Sequence, residues 1–485
     1  MIKRKNNFFL SLLNVLFLIL ISGMIIFAVS SCRDKESKKP QAEVPSSYRG
    51  AEGIESAELT VDGEDTSLGD LYWEDIIIDE VLENLIKTAI KNNHDIRIAA
   101  EKILQARAQL TITGSAQYPE IGGGGSFNKM YPSQVAPTPA APGIIRSFQA
   151  NLQAFFELDF WGRVRRSTDA ARAEMLATNE ARNVVLMTLI SEVASSYFTL
   201  RELDLELEIS IKTLATREES YRLVKAREQC GIATMLDRDQ AYGLVLSART
   251  TITQLTQQIE QQENYINFLL GGNPGNVPRG LTLAEQLNKV MLPAGIPSTL
   301  LVRRPDIRKA EQNLAAADAK VDVARAGHFP MVTLTGENGV LSKALDNLFT
   351  GPANTWSFIP QFTVPVFNAG KVTAQVRQAE SVQRETLLEY DRTVKNAFME
   401  VSDTLTGYNK QRKLRAEQAE LTLTLADQAR LSNLRYIGGV SSYLEVLDSE
   451  RQYFASELEL AQAQLNELLY YVKLYKALGG GWQQE

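Results

Sequence analysis

The chain has 485 residues, with 51 lysines and arginines against 58 aspartates and glutamates, and a net charge of −7 at pH 7. That balance, with no Lys/Arg cluster along the sequence, argues against nucleic acid and anionic lipid as partners, because both reward basic patches. Two cysteines and two histidines, His94 and His328, offer no disulfide framework and no metal-ligand spacing, and no P-loop or nucleophile set in motif context is present, so enzyme chemistry is not expected.

Residues 1–31 begin with the basic Lys3, Arg4 and Lys5 and continue as an apolar run over residues 8–29. A basic start and an apolar run describe a signal peptide or a membrane anchor. The end of the run favours the first: Val29-Ser30-Ser31-Cys32 resembles the bacterial lipobox, which ends in the cysteine that is lipidated and becomes the new N-terminus. Cys32 is the expected lipid-attachment residue, with no other cofactor expected. Loss of the three basic residues takes the net charge from −7 to −10. Residues 32–70, rich in Asp, Glu, Ser, Lys, Gly and Pro, read as a flexible tether.

From Leu71 onward one unit occurs twice. Residues 93–119 realign on 304–330, setting Asp95-Ile96-Arg97 on Asp306-Ile307-Arg308 at an offset of 211. Gly162 through Leu236 realigns on Gly370 through Leu444 at an offset of 208, with Glu192-Val193 on Glu400-Val401. A unit of roughly 200 residues repeated twice is too long for a solenoid and implies duplication of a structural half. The halves are residues 71–290 and 291–485.

Within the first half, residues 73–116 have helical periodicity through Val81, Leu82, Leu85, Ala89, Ile96, Ala99, Ile103 and Ala106, and Pro119 ends the stretch. A hairpin is expected over 118–160. Its second strand alternates Phe148, Ala150, Leu152, Ala154, Phe156, Leu158 and Phe160 with Gln149, Asn151, Gln153, Phe155, Glu157 and Asp159. Residues 163–228 then contain neither proline nor glycine, which predicts a rod of roughly 100 Å. Its apolar seam is Ile190, Val193, Tyr197, Leu200, Leu203 and Leu207. A glycine turn over 230–234 leads to a returning helix over 236–270. The second half repeats the order. It has a hairpin over 329–367 with Trp356, Phe358, Phe362, Val364 and Val366 alternating, then a rod over 371–436. The rod's seam is Leu387, Tyr390, Val394, Phe398, Val401, Leu405 and Tyr408. A turn over 438–442 and a return helix over 443–478 complete it. Trp161, Trp356 and Tyr131 fall at strand ends, where an aromatic girdle sits. Core packing where strands meet helices is the other reading for Trp161.

Strands this long suit a membrane barrel better than a soluble sandwich. Four strands cannot close, and lipid does not tolerate an open sheet edge. The chain must therefore oligomerise. Two copies supply 8 strands, with a side-chain-filled interior, and three supply 12, with a lumen. The inward Gln, Asn, Glu and Asp favour a lumen without deciding the number.

The order helix, strand hairpin, long helix, glycine tip and return helix, given twice behind a lipobox, resembles the TolC-like outer-membrane factors, in particular the lipoprotein branch serving RND efflux systems. Local signatures are Leu71-Tyr72-Trp73, Asp159-Phe160-Trp161-Gly162-Arg163, Arg303-Arg304-Pro305-Asp306-Ile307 and Val364-Pro365-Val366-Phe367-Asn368-Ala369-Gly370. The resemblance implies an α+β membrane protein: a homotrimer whose 12-stranded β-barrel, four strands per chain, sits in outer-membrane lipid and continues into a long α-helical coiled-coil barrel. It also implies a periplasmic adaptor (membrane fusion) protein and an inner-membrane RND pump as partners. A type I protein-secretion channel and a non-transport helical scaffold are the competing readings.

Polar groups near the tips are the candidate site residues. Asp237 follows the first turn, Tyr436 precedes the second, and Glu445 and Asp448 follow it, three apart and so on one helix face. Acids in a first turn also complement the helix dipole. The resemblance favours a periplasmic gate made of these four residues. Ser441 stands where some family members carry a basic gate residue, so the closed state is expected to rest on Tyr436 and hydrogen bonds, with acid repulsion favouring opening. Gly231, Ile232, Ala233, Thr234, Gly439, Val440, Ser441 and Ser442 are the adaptor-contact tips that the resemblance implies.

Overall fold

The computed structural model describes residue 68 and residues 71–131, 133, 143–287 and 297–482. The leader, Cys32 and all of the tether except Leu68 lie outside the described residues. The first half runs α1 (Trp73–Ile76), α2 (Glu80–Asn92), α3 (His94–Ser115), β1 (Glu120–Met130), β2 (Ile145–Leu158), α4 (Arg163–Gln229) and α5 (Met235–Leu269). After α6 (Leu283–Leu287) and α7 (Pro297–Arg303), the second half runs α8 (Pro305–Ala326), β3 (Met331–Ser342), β4 (Asn354–Thr363), α9 (Lys371–Ile437) and α10 (Tyr443–Ala477).

The helical stretch expected over 73–116 is broken twice, each time by a capping side chain. Asp79 Oδ1 accepts from the Val81 N–H at 2.9 Å and starts α2, and Asn93 Oδ1 accepts from the Asp95 N–H at 2.8 Å and starts α3. Short polar side chains compete with helix carbonyls for N–H groups. An apolar period runs through such a break without revealing it. Asn93 Nδ2 also donates to the Leu269 carbonyl at 2.8 Å. Its repeat equivalent, Arg304, makes the matching bond to the Ala477 carbonyl at 3.0 Å and pairs with Asp306 at 2.6 Å and Glu400 at 2.8 Å. The duplicated halves thus keep one backbone attachment with different chemistry.

Both rods form, at 67 residues each. On α4 the stripe Ile190, Val193, Tyr197, Leu200 and Leu203 is buried and Leu207 half-buried, and on α9 the stripe from Tyr390 to Tyr408 is buried while Leu387, at its head, is exposed. α4 packs on α3, α5, α8 and α10, and α9 packs on α8 and α10, so α4 carries most of the contact between halves. Each fully buried Leu or Val in these stripes contributes about 1.5–3 kcal/mol.

The sheet is an antiparallel meander in the order β1-β2-β3-β4. Its register pairs Phe127 with Phe148, Leu152 with Asn338, Phe156 with Leu334 and Gly336 with Phe358, which puts those apolar side chains on one face. Gln149, Asn151, Gln153, Glu337, Ser357 and Gln361 share the other face, with Phe155, Leu341 and Ile359 as apolar exceptions along it and Met130, Ile145 and Met331 at its ends. There Gln149 Nε2 and Asn151 Nδ2 donate to Glu337 Oε1 at 3.1 and 2.5 Å. β1 and β4 are the sheet edges, each with one unpaired row of backbone groups.

β2 stops at Leu158 and β4 at Thr363, short of the expected Phe160 and Val366. Asp159 already serves the next helix, its Oδ2 accepting from the Arg165 N–H at 2.8 Å. Pro365 has no N–H to continue a ladder. Trp161 stacks on Phe329 at 4.8 Å and donates Nε1 to the Pro330 carbonyl at 2.6 Å, so it packs the strand-to-helix junction and is no free girdle residue. Trp356 stands exposed on the apolar sheet face.

Candidate functional site

Each long hairpin reverses in a few residues. α4 is capped by Cys230, and Gly231 at φ +74° brings the Ile232 N–H to the Arg227 carbonyl at 2.8 Å. In the second hairpin Gly439 at φ +75° brings the Val440 N–H to the Arg435 carbonyl at 3.0 Å. A Cβ at either glycine would meet nothing within 4 Å. The left-handed backbone alone asks for glycine.

The polar groups around these equal turns differ. Thr234 caps α5 in a reciprocal box: the Asp237 N–H donates to Thr234 Oγ1 at 3.1 Å, and Asp237 Oδ2 accepts from the Thr234 N–H at 2.8 Å. The Asp237 carboxylate is therefore turned onto the helix end. Ser442, the equivalent of Thr234, makes no side-chain cap. Glu445 instead pairs with Arg435 across the turn at 3.1 Å, and Asp448 Oδ2 accepts from Gln452 Nε2 at 2.7 Å. Both acids are exposed on one face of α10.

Tyr436 is buried and ties the two hairpins together. Its ring meets Tyr443 edge-on at 5.2 Å, the Arg227 guanidinium lies 4.6 Å over it, and Arg227 Nη1 donates to the Tyr436 carbonyl at 3.2 Å. Val224 and Ala241 from the first hairpin and Tyr436, Tyr443 and Val446 from the second form one buried cluster. Burial pushes both phenols up, so they stay neutral at physiological pH.

Further along the same interface lies Arg217 of α4, 3 % exposed, with Nη1 donating to the Leu244 carbonyl at 3.2 Å and the guanidinium 4.7 Å over the Phe454 ring. Burial lowers its pKa and the Glu450 carboxylate of α10 raises it, while burial pushes Glu450 up and Arg217 pulls it down. Opposite charges thus face each other across the buried seam between hairpins. Arg217 Nε, Ser441 Oγ, the Tyr443 hydroxyl and Glu450 Oε2 are buried there without a hydrogen bond.

The structure brings Tyr436 and the tip residues together, sets Glu445 and Asp448 side by side, and gives Asp237 to a cap. Arg217, Arg227, Arg435 and Glu450 were missed by sequence reasoning. For Arg227 and Arg435 the signal was the 208-residue offset itself. Among the described residues no His/Cys/Asp/Glu group could hold a metal ion. His94 at the start of α3 and His328 before β3 are both exposed.

A family profile for outer membrane efflux proteins matches residues 85–272 and 296–480. The cation efflux system protein CusC of Escherichia coli is 36% identical over 415 residues, 85% of this chain and 88% of its own. The solvent efflux pump outer membrane protein SrpC of Pseudomonas putida is 38% identical over 407 residues, 83% of this chain and 86% of its own. Among solved structures, the open state of the Neisseria gonorrhoeae MtrE outer membrane channel superposes with a TM-score of 0.82 at 30% identity, covering 92% of this chain and 97% of that one. With the duplicated rods, the two-faced sheet and these matches in agreement, the chain belongs to the outer membrane efflux protein family.

Proposed function

We propose that three copies of this chain form the passive outer-membrane conduit of a tripartite efflux system. Each copy contributes four strands to a 12-stranded barrel and two helical hairpins to a periplasmic tunnel, and Cys32 carries the acyl anchor. The turns around Gly231 and Gly439 meet a periplasmic adaptor protein, and an inner-membrane RND pump supplies the energy. Relatives named for cation and solvent efflux point to small toxic solutes as cargo.

The observation that carries this reading is a sheet with one apolar face, one polar face and two unpaired edges. Such a sheet survives in lipid only when β1 of one copy pairs with β4 of the next. Glu445 and Asp448, exposed on one face, make the acidic ring of the gate, and Tyr436 held by Arg227 makes the tie that keeps the hairpins closed. Asp237 contributes by fixing the tip.

Purified protein in planar bilayers tests both parts. Heat-resistant trimers that conduct with a cation preference are the expected result, and detergent-free monomers without conductance would end the channel reading. Glu445→Ala/Asp448→Ala trimers should lose most of that preference. Unchanged selectivity and closure would remove the gate assignment alone.

A further inference from the structure

The register of the first β-hairpin sets two cations side by side at the end of the sheet far from the helices. Lys129 of β1 pairs directly with Arg146 of β2, both are exposed, and both share the face that carries Ile121, Phe127, Phe148 and Leu152. Two residues deeper, the Phe127 and Phe148 rings lie 4.7 Å apart. The inference rests on the channel reading, which puts this face in lipid.

Dimensions locate the pair. On β2 the apolar face runs from Phe148 to Leu158, which is about 33 Å along the strand and about 25 Å along the membrane normal at a tilt of about 40°. That matches the apolar band of a membrane barrel. Lys129 and Arg146 stand one step of the pleat beyond its outer edge, at about headgroup level, where long cationic side chains extend their charge while their stems stay apolar. Like charges directly opposite on paired strands repel. No carboxylate among the described residues pairs with either cation, and residues 131–144, which link the strands, contain no Asp or Glu. The whole-chain charge of −7 conceals this local excess.

We propose that Lys129 and Arg146 form a binding site for the phosphate of a membrane-lipid headgroup in the outer leaflet. The guanidinium fork of Arg146 takes two phosphate oxygens, and the Lys129 ammonium adds a point charge beside it. Phe127 and Phe148 give the root of the acyl chain an apolar bed. The proposal runs against the expectation that anionic lipid is no partner, because folding joins two cations that the sequence keeps apart.

The test uses full-length trimers in detergent that have first been shown to conduct. Native mass spectrometry reads lipid retained from phosphatidylglycerol and from uncharged, phosphate-free digalactosyl diacylglycerol. Wild type should hold phosphatidylglycerol about tenfold more tightly than Lys129→Gln/Arg146→Gln, which should not distinguish the two lipids, and each single Gln variant should lose about threefold. The single variants give the reading if the double variant does not assemble. Lys129→Arg should retain the preference. Equal retention by wild type and variants overturns the proposal. Loss of the preference to millimolar inorganic phosphate assigns the site to free phosphate and overturns the lipid assignment. Quenching of Trp356 by brominated acyl chains, isolated by comparison with Trp356→Phe, separates the two levels. No quenching means that this face is not in lipid and the channel reading fails; quenching without lipid preference sinks only this site.

Discussion

The two hairpin tips are built from equivalent residues and wired differently. Arg227, Gly231, Thr234 and Asp237 stand 208 residues before Arg435, Gly439, Ser442 and Glu445. The turns share one backbone, with φ of +74° and +75° at their glycines. In the first tip the acid caps its own helix, and the arginine reaches across to Tyr436 of the other hairpin. In the second tip the acid faces its own arginine, the serine makes no cap, and Asp448 adds a second exposed carboxylate. A cap of this kind contributes about 1 kcal/mol, whereas an exposed ion pair contributes about 0–1 kcal/mol. The first tip therefore spends its polar residues on rigidity, and the second leaves its acids at the surface.

Three sets of substitutions probe this contrast. The largest effect is expected at neither tip but at the seam joining them. Arg217→Leu removes a buried guanidinium with its bond to the Leu244 carbonyl, its place over the Phe454 ring and its attraction to Glu450, and should destabilise the detergent-solubilised trimer by about 2–3 kcal/mol in urea unfolding. Arg217→Leu/Glu450→Leu should recover most of the loss, and a single-variant cost under about 0.5 kcal/mol would show the pair to be idle. Next, Gly231→Ala and Gly439→Ala should each cost about 1–2 kcal/mol, because each forces a side chain into left-handed backbone with open space around it. Unequal costs would break the claim that the two turns share one geometry. The smallest effect is the most discriminating. Thr234→Ala should cost about 1 kcal/mol in a thermal scan and Ser442→Ala less than about 0.5 kcal/mol; matching values would erase the asymmetry in capping.

The rods, the turns and the strands were legible because their signals are local. A run of 66 residues without proline or glycine, a two-residue alternation and a glycine at each reversal are read directly from short windows. Contacts chosen among several available partners were not legible. Nothing in a window around residue 237 tells whether its carboxylate turns back to Thr234 or out to solvent. The Arg227 to Tyr436 tie joins positions 209 residues apart, and the repeat offset names the equivalent of Arg227 without naming its partner. Asp79 and Asn93 broke an apolar period because a single side-chain oxygen on a backbone N–H outweighs a pattern that constrains only faces.

The unpaired edges of β1 and β4 carry a genetic consequence. In the proposed trimer every wall seam is shared between two polypeptides, so no copy can be complete by its own merit. A subunit altered along β4 alone would still offer an intact β1 to its neighbour, enter the ring and leave it open. Co-expressed with the normal chain, such a subunit should silence export out of proportion to its abundance, behaving as a dominant allele although its own defect is a simple loss.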